Sequence, residues 1–95
     1  MNRRVVITGI GVVSAIGNDT DAFWASLVAG RSGIGPISKV DVSAMRFRNA
    51  GEVKGFDPLR FIDKKDVKKM DIFIQHAIAA SQFAMDDSGL KVTPD

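Results

Sequence analysis

From Arg4 to Val13 the chain reads RVVITGIGVV, apolar on both faces with little alternation. That is the pattern of a strand buried in the middle of a sheet. GNDTD follows as a turn, and its Asp19 and Asp21 suit the positive end of a helix. DAFWASLVAG then sets Phe23, Trp24, Leu27 and Val28 at helical spacing, with Gly30 where a C-terminal capping glycine belongs. RSGIGPISKVDVSAM reads as loop, broken by Gly33, Gly35 and Pro36. FRNAGEVKGF is a weak strand bounded by Gly51 and Gly55. Pro58 opens a short helical turn through DPLRFI, and Asp63 is a reasonable N-cap for KKDVKKM. Asp71 to Ser88, stopped by Gly89, is the clearest helix in the chain.

That long helix carries little polarity. Asp71, Gln75, Gln82 and Asp86 form one narrow stripe, while Ile72, Phe73, Ile74, Ile78, Phe83 and Met85 alternate with alanines around the rest. A helix apolar around most of its circumference is normally covered by several neighbours. Ninety-five residues offer too few other elements to cover both this helix and the opening strand. The pattern therefore describes part of something larger, or one side of an extensive oligomer. Trp24 and the phenylalanines read as core.

Composition narrows the function classes. Hydrophobic residues make up 45% and charged residues 25%, as in ordinary globular proteins, and the net charge is +2. So slight an excess points to no nucleic acid, and any electrostatic function must come from local clustering. No cysteine is present, which removes disulfides, thiolate metal ligands and a thiol nucleophile from these residues. MNRR before an apolar run imitates an export signal, but Thr8, Gly9 and Gly11 interrupt that run. No stretch approaches the length of a membrane-spanning helix, and a cytoplasmic location is expected.

The strand entering glycines invites a dinucleotide-binding reading, and spacing argues against it. G-x-G-x-x-G is met at Gly9 and Gly11, but the third place is Ser14 and Gly17 comes three residues late. No Gly-Lys-Ser/Thr follows for a P-loop. Gly9 and Gly11 are better read as places where another backbone approaches closely. His76, the one histidine, has no second ligand at metal-binding spacing and reads as packed or surface. No serine stands in a nucleophile–base arrangement. No catalytic, cofactor-binding or metal-binding residue is expected here.

The basic run RFIDKKDVKKMD remains. Lys64, Lys65, Lys68 and Lys69 fall at helical spacing, as a compact cationic patch partly offset by Asp63 and Asp66. A solvated helix face, a docking surface for an acidic partner, or a nucleic-acid contact would each use such a patch; the last lacks interleaved aromatics.

Taken together, RRVVITGIGVVSAIGN, LVAGRSGI, AGEVKGFD and KKMDIFIQHAIAASQFAMDDSGL resemble the N-terminal part of the 3-oxoacyl-[acyl-carrier-protein] synthases. These are β-ketoacyl synthases of the thiolase-like fold, and the wording KKMDIFIQ is most similar to the type II elongating enzymes of fatty acid synthesis. The resemblance implies an α/β architecture, a mixed sheet layered with helices, of which residues 1–95 supply one part without an internal boundary. It implies decarboxylative condensation of an acyl-enzyme with malonyl carrier protein, without a cofactor, in a homodimeric enzyme. The family's catalytic cysteine and two histidines lie downstream of the position matching Asp95, and His76 matches neither histidine. The family also implies a role for the lysines. Lys65, Lys68 and Lys69, flanked by Lys64, match positions that contact the acidic recognition helix of acyl carrier protein. Relatives of the chain-length-factor type keep the fold without the cysteine, so a non-catalytic partner or a truncated inactive product is the alternative.

Overall fold

The computed structural model describes residues 2–94. Internal contacts divide the chain into two units, Val13–Asp57 and Met1–Val12 with Pro58–Asp95.

The unit Val13–Asp57 begins with a bridge between Ser14 and Gly17. The Ser14 amide donates to the Gly17 carbonyl at 2.8 Å, and the Ser14 hydroxyl donates to the same oxygen at 3.0 Å. Helix α1 runs Thr20–Val28. Asp19 caps it, its carboxylate accepting from the Ala22 amide at 2.7 Å, a donor the helix itself leaves unsatisfied. At the other end Gly30 takes a left-handed φ of +70°. The Gly30 amide then donates to Leu27 and the Arg31 amide to Ser26, which closes the last turn in a Schellman arrangement. Both ends of this helix thus follow from local chemistry. Its packing does not: Phe23 is half-buried, while Trp24 is 63% exposed and Leu27 and Val28 are exposed as well.

Two three-residue strands follow, β1 (Ile34–Pro36) and β2 (Asn49–Gly51), antiparallel with Ile34 opposite Gly51 and Pro36 opposite Asn49. The stretch read as loop therefore contains a strand, and the weak strand ends at Gly51 instead of starting there. A Gly-Pro strand of three residues has neither the length nor the alternation that marks a strand in sequence. Beyond β2, Glu52 draws the two strand ends together. Its carboxylate accepts from the Ser38 amide (3.1 and 3.2 Å), the Ser38 hydroxyl (2.9 Å) and the Lys39 amide (3.2 Å). Those bonds hold the Glu52 carboxyl below the usual glutamate range, the Ser38 hydroxyl contributing most. Asn18 donates to the Lys54 carbonyl at 2.6 Å, and Arg48 to the Ser43 carbonyl at 3.1 Å.

In the other unit, a 3-10 turn at Pro58–Arg60 leads into helix α2, Lys64–Val67, and then helix α3, Ile72–Ser88. Asp71 caps α3 by accepting from the Ile72 amide at 2.6 Å, and Gly89, at φ +69°, ends it. The buried apolar side chains among the described residues lie here. Ala79 is fully enclosed, Ile62 is buried, and Phe61 meets Phe83 edge-on with ring centroids 5.2 Å apart.

The opening segment departs from expectation. No ladder among the described residues includes 2–13, and Val5 is 92% and Ile7 83% exposed. A strand exists only by pairing, and nothing within the described residues offers this segment a partner edge. Trp24, Phe47 and Phe73 likewise stand exposed, where the sequence reads as core. One face of α3, from Phe73 and Ile74 through Ala77 and Ile78 to Met85, borders an open groove of about 440 Å³. Apolar spacing marks surfaces meant for covering, and the layers that would cover them are not in these residues. No described helix is long and apolar enough to cross a membrane.

Candidate functional site

The four lysines stand on a short, externally supported segment. Lys64 and Lys65 open α2, which is a single turn; Asp63 precedes it in extended conformation without a side-chain cap. Lys68 keeps a right-handed helical backbone (φ −68°, ψ −18°), and the Lys69 amide donates to Asp66 at 3.0 Å, a bond of 3-10 spacing. The expectation of one continuous helix under all four is thus corrected: Lys68 and Lys69 occupy a tightened turn beyond it. Four residues of propensity cannot hold a helix in water, so the turn depends on packing.

Gln75 supplies much of that support. It is buried, and its Nε2 donates to the carbonyls of Val67 and Met70, each at 3.2 Å. These carbonyls bracket Lys68 and Lys69. In sequence Gln75 belongs to the polar stripe of α3, where a solvated position is expected; the structure turns it inward as a brace. Gln82 and Asp86 of the same stripe are exposed and bonded to each other at 2.9 Å. The single signal that could have singled out Gln75 is its closeness to the lysine turn.

All four lysines are exposed, and no salt bridge among the described residues ties their ammonium groups to a carboxylate. From Arg60 to Lys69 there are five basic and two acidic residues, net +3, against +2 for the whole chain. The excess positive charge therefore sits entirely in ten residues. Such a patch attracts an anionic surface and orients it, with a strength that falls with salt.

The glycines of the opening segment lie against α3. A side chain at Gly11 would collide with the Ala80 carbonyl and come within 2.8 Å of the Ala84 nitrogen; one at Gly9 would meet the Ala84 carbonyl and Ser88. The backbone that approaches closely is that of α3. Asp87, in the last turn of α3, accepts from the Ile10 amide at 3.0 Å and fixes the register of this contact. His76 is half-buried on α3, and no group of three His, Asp or Glu residues among those described is placed to hold a metal ion.

The sequence profile described as "Beta-ketoacyl synthase, N-terminal domain" matches residues 2–94. The chain belongs to the β-ketoacyl synthase family. This ketosynthase segment is 48% identical over 93 residues to the 3-oxoacyl-[acyl-carrier-protein] synthase 2 of Vibrio cholerae, covering 98% of the segment and 22% of that relative. It is 46% identical over 90 residues to the enzyme of the same name from Synechocystis, covering 95% of the segment and 22% of the relative. The segment thus spans about a fifth of the length of these relatives. A solved ishigamide ketosynthase/chain length factor aligns with a TM-score of 0.85 at 42% identity, over 96% of the segment and 23% of that chain. These residues thus share the fold of a ketosynthase-like neighbour, as helices with a small sheet; that sheet is a two-stranded antiparallel pair, and the mixed sheet expected from the sequence does not form among the described residues.

Proposed function

We propose that this ketosynthase segment belongs to a 3-oxoacyl-[acyl-carrier-protein] synthase of fatty acid synthesis and supplies its docking surface for acyl carrier protein. The observation that carries the docking assignment is the patch of Lys64, Lys65, Lys68 and Lys69, exposed and, at Lys68 and Lys69, bracketed by carbonyls that Gln75 holds. An acidic helix on the carrier is the complementary partner, and exposed charge pairs give it fast, salt-sensitive encounter.

In the intact enzyme a cysteine thiolate takes the acyl group from its thioester. Malonyl carrier protein then loses carbon dioxide, and its α-carbon attacks the acyl-enzyme, releasing the thiolate and lengthening the chain by two carbons. None of those reacting groups lies in this segment, which holds no cysteine, so alone it is inactive. The residues here contribute framework, with RVVITGIGVV as a central strand of a mixed sheet in a cytoplasmic homodimer.

Reversal of Lys65, Lys68 and Lys69 to Glu in the intact enzyme is expected to raise KM for acyl carrier protein about tenfold, with turnover of carrier-free thioesters retained. Unchanged carrier kinetics would remove the docking assignment. The likeness to a ketosynthase/chain length factor favours one second reading, a non-catalytic partner subunit. Absence of condensing activity in the intact protein, with carrier binding retained, would select it.

A further inference from the structure

The docking surface does not end at Lys64. Immediately before α2, the 3-10 turn Pro58–Arg60 packs against that helix and presents two side chains of different chemistry. Arg60 is exposed, with its guanidinium carbon 5.4 Å from the centroid of the Phe61 ring. Phe61 is itself held edge-on by Phe83 of α3, so the cation rests on an anchored ring. The turn is closed by the Phe61 and Ile62 amides donating to the Pro58 carbonyl at 3.0 and 2.9 Å. Leu59, between Pro58 and Arg60, is 58% exposed. A large exposed apolar side chain beside Arg60, on a turn packed against the lysine-bearing α2, is a different recognition surface from lysines alone.

We infer that Arg60 and Leu59 extend the lysine patch into a mixed cationic and apolar docking surface, fitted to an acidic amphipathic helix that carries an apolar residue beside its carboxylates. The inference rests on the docking function proposed above and specifies the partner's chemistry. Arg60 adds a planar fork that takes a carboxylate in bidentate fashion, a geometry that lysine does not reproduce. Leu59 adds contact area that salt does not screen. The two contributions therefore separate by ionic strength.

The test is calorimetric titration of the intact enzyme containing this chain with holo acyl carrier protein at 50 mM and 500 mM salt, as the parent and as Arg60→Ala, Arg60→Lys, Leu59→Ser and the Lys65, Lys68, Lys69→Glu triple variant. Arg60→Ala is expected to weaken binding about threefold at low salt, with Arg60→Lys restoring part of it. Leu59→Ser is expected to weaken it about fivefold at either salt concentration. Both positions are exposed, and far-UV circular dichroism checks that the variants keep the parent's helix content. If the triple variant weakens binding while Leu59→Ser and Arg60→Ala stay within about twofold of the parent, the surface stops at Lys64 and the extension is overturned with docking intact. Absence of binding by the parent, or a triple variant as tight as the parent, overturns docking and extension together.

Discussion

The two units are held by different chemistry. Val13–Asp57 is stitched by polar clips: Asp19 onto α1, Asn18 onto Lys54, Arg48 onto Ser43, and Glu52 across the ends of β1 and β2. The other unit is held by close approach of apolar surfaces, with the glycines of the opening segment against α3, Ala79 enclosed, Ile62 buried and Phe61 against Phe83. Asp87 and Gln75 add hydrogen bonds that span distant parts of it. Of these clips, the Glu52 carboxylate, held below its ordinary value by the bonds it accepts, responds to protons. A packed seam responds to volume. The proposed docking surface stands in the second unit, braced by hydrogen bonds from Gln75, a neutral side chain, so its geometry does not titrate with the conditions that tune its charge.

The comparison breaks most sharply at Gly11. Gly11→Val drives a branched side chain into the α3 backbone at Ala80 and Ala84 and is expected to destabilise the seam by about 3 kcal/mol or more. Hydrogen exchange of the α3 amides should accelerate while that of α1 is unchanged; equal acceleration in both would show that the two supports are not separate.

A smaller effect is expected at Gln75. Gln75→Leu keeps the volume roughly but removes the side-chain donor from the Met70 carbonyl and leaves the Val67 carbonyl with only the Met70 amide, at about 1–3 kcal/mol. The predicted signature is faster exchange at Lys69 and Met70 and weaker carrier binding, with all four lysines still present. Full retention of both would show that the turn stands without its brace.

Glu52 sharpens the other side of the contrast. Its folded pKa lies below the ordinary glutamate value, so its stabilising contribution is complete above that value and is lost as pH falls through the lowered one. Acid below about pH 4 should therefore loosen the β1–β2 pair. Glu52→Gln should give the loosened exchange pattern at neutral pH and abolish its acid dependence. An unchanged acid response in the variant would assign it to another carboxylate.

What was legible in the sequence follows the same division. Asp19, Gly30, Asp71 and Gly89 were readable as helix ends because capping is decided within four or five residues. The close approach at Gly9 and Gly11 was readable as a need for space, although not which element fills it. RVVITGIGVV was readable as apolar on both faces, yet strand formation belongs to a partner, and no partner edge is present among the described residues. Trp24 and Phe73 failed as core residues for the same reason: hydrophobicity specifies burial, and burial requires a covering layer. β1 escaped notice because three residues with a glycine and a proline carry no periodic signal. The lysines were legible as an exposed patch. Gln75 was not legible as their brace, since a glutamine at one position of a helical stripe looks the same whether it faces water or two carbonyls.

The Gln75 brace also bears on timing. A loop that must settle around each arriving partner loses backbone freedom at every encounter, and that loss shortens the life of the complex. With the carbonyls on either side of Lys68 and Lys69 already held, the ordering is complete before contact. In the proposed docking, encounter through this turn is set by how quickly opposite charges find one another, and residence time by the buried Gln75 that holds the turn in place.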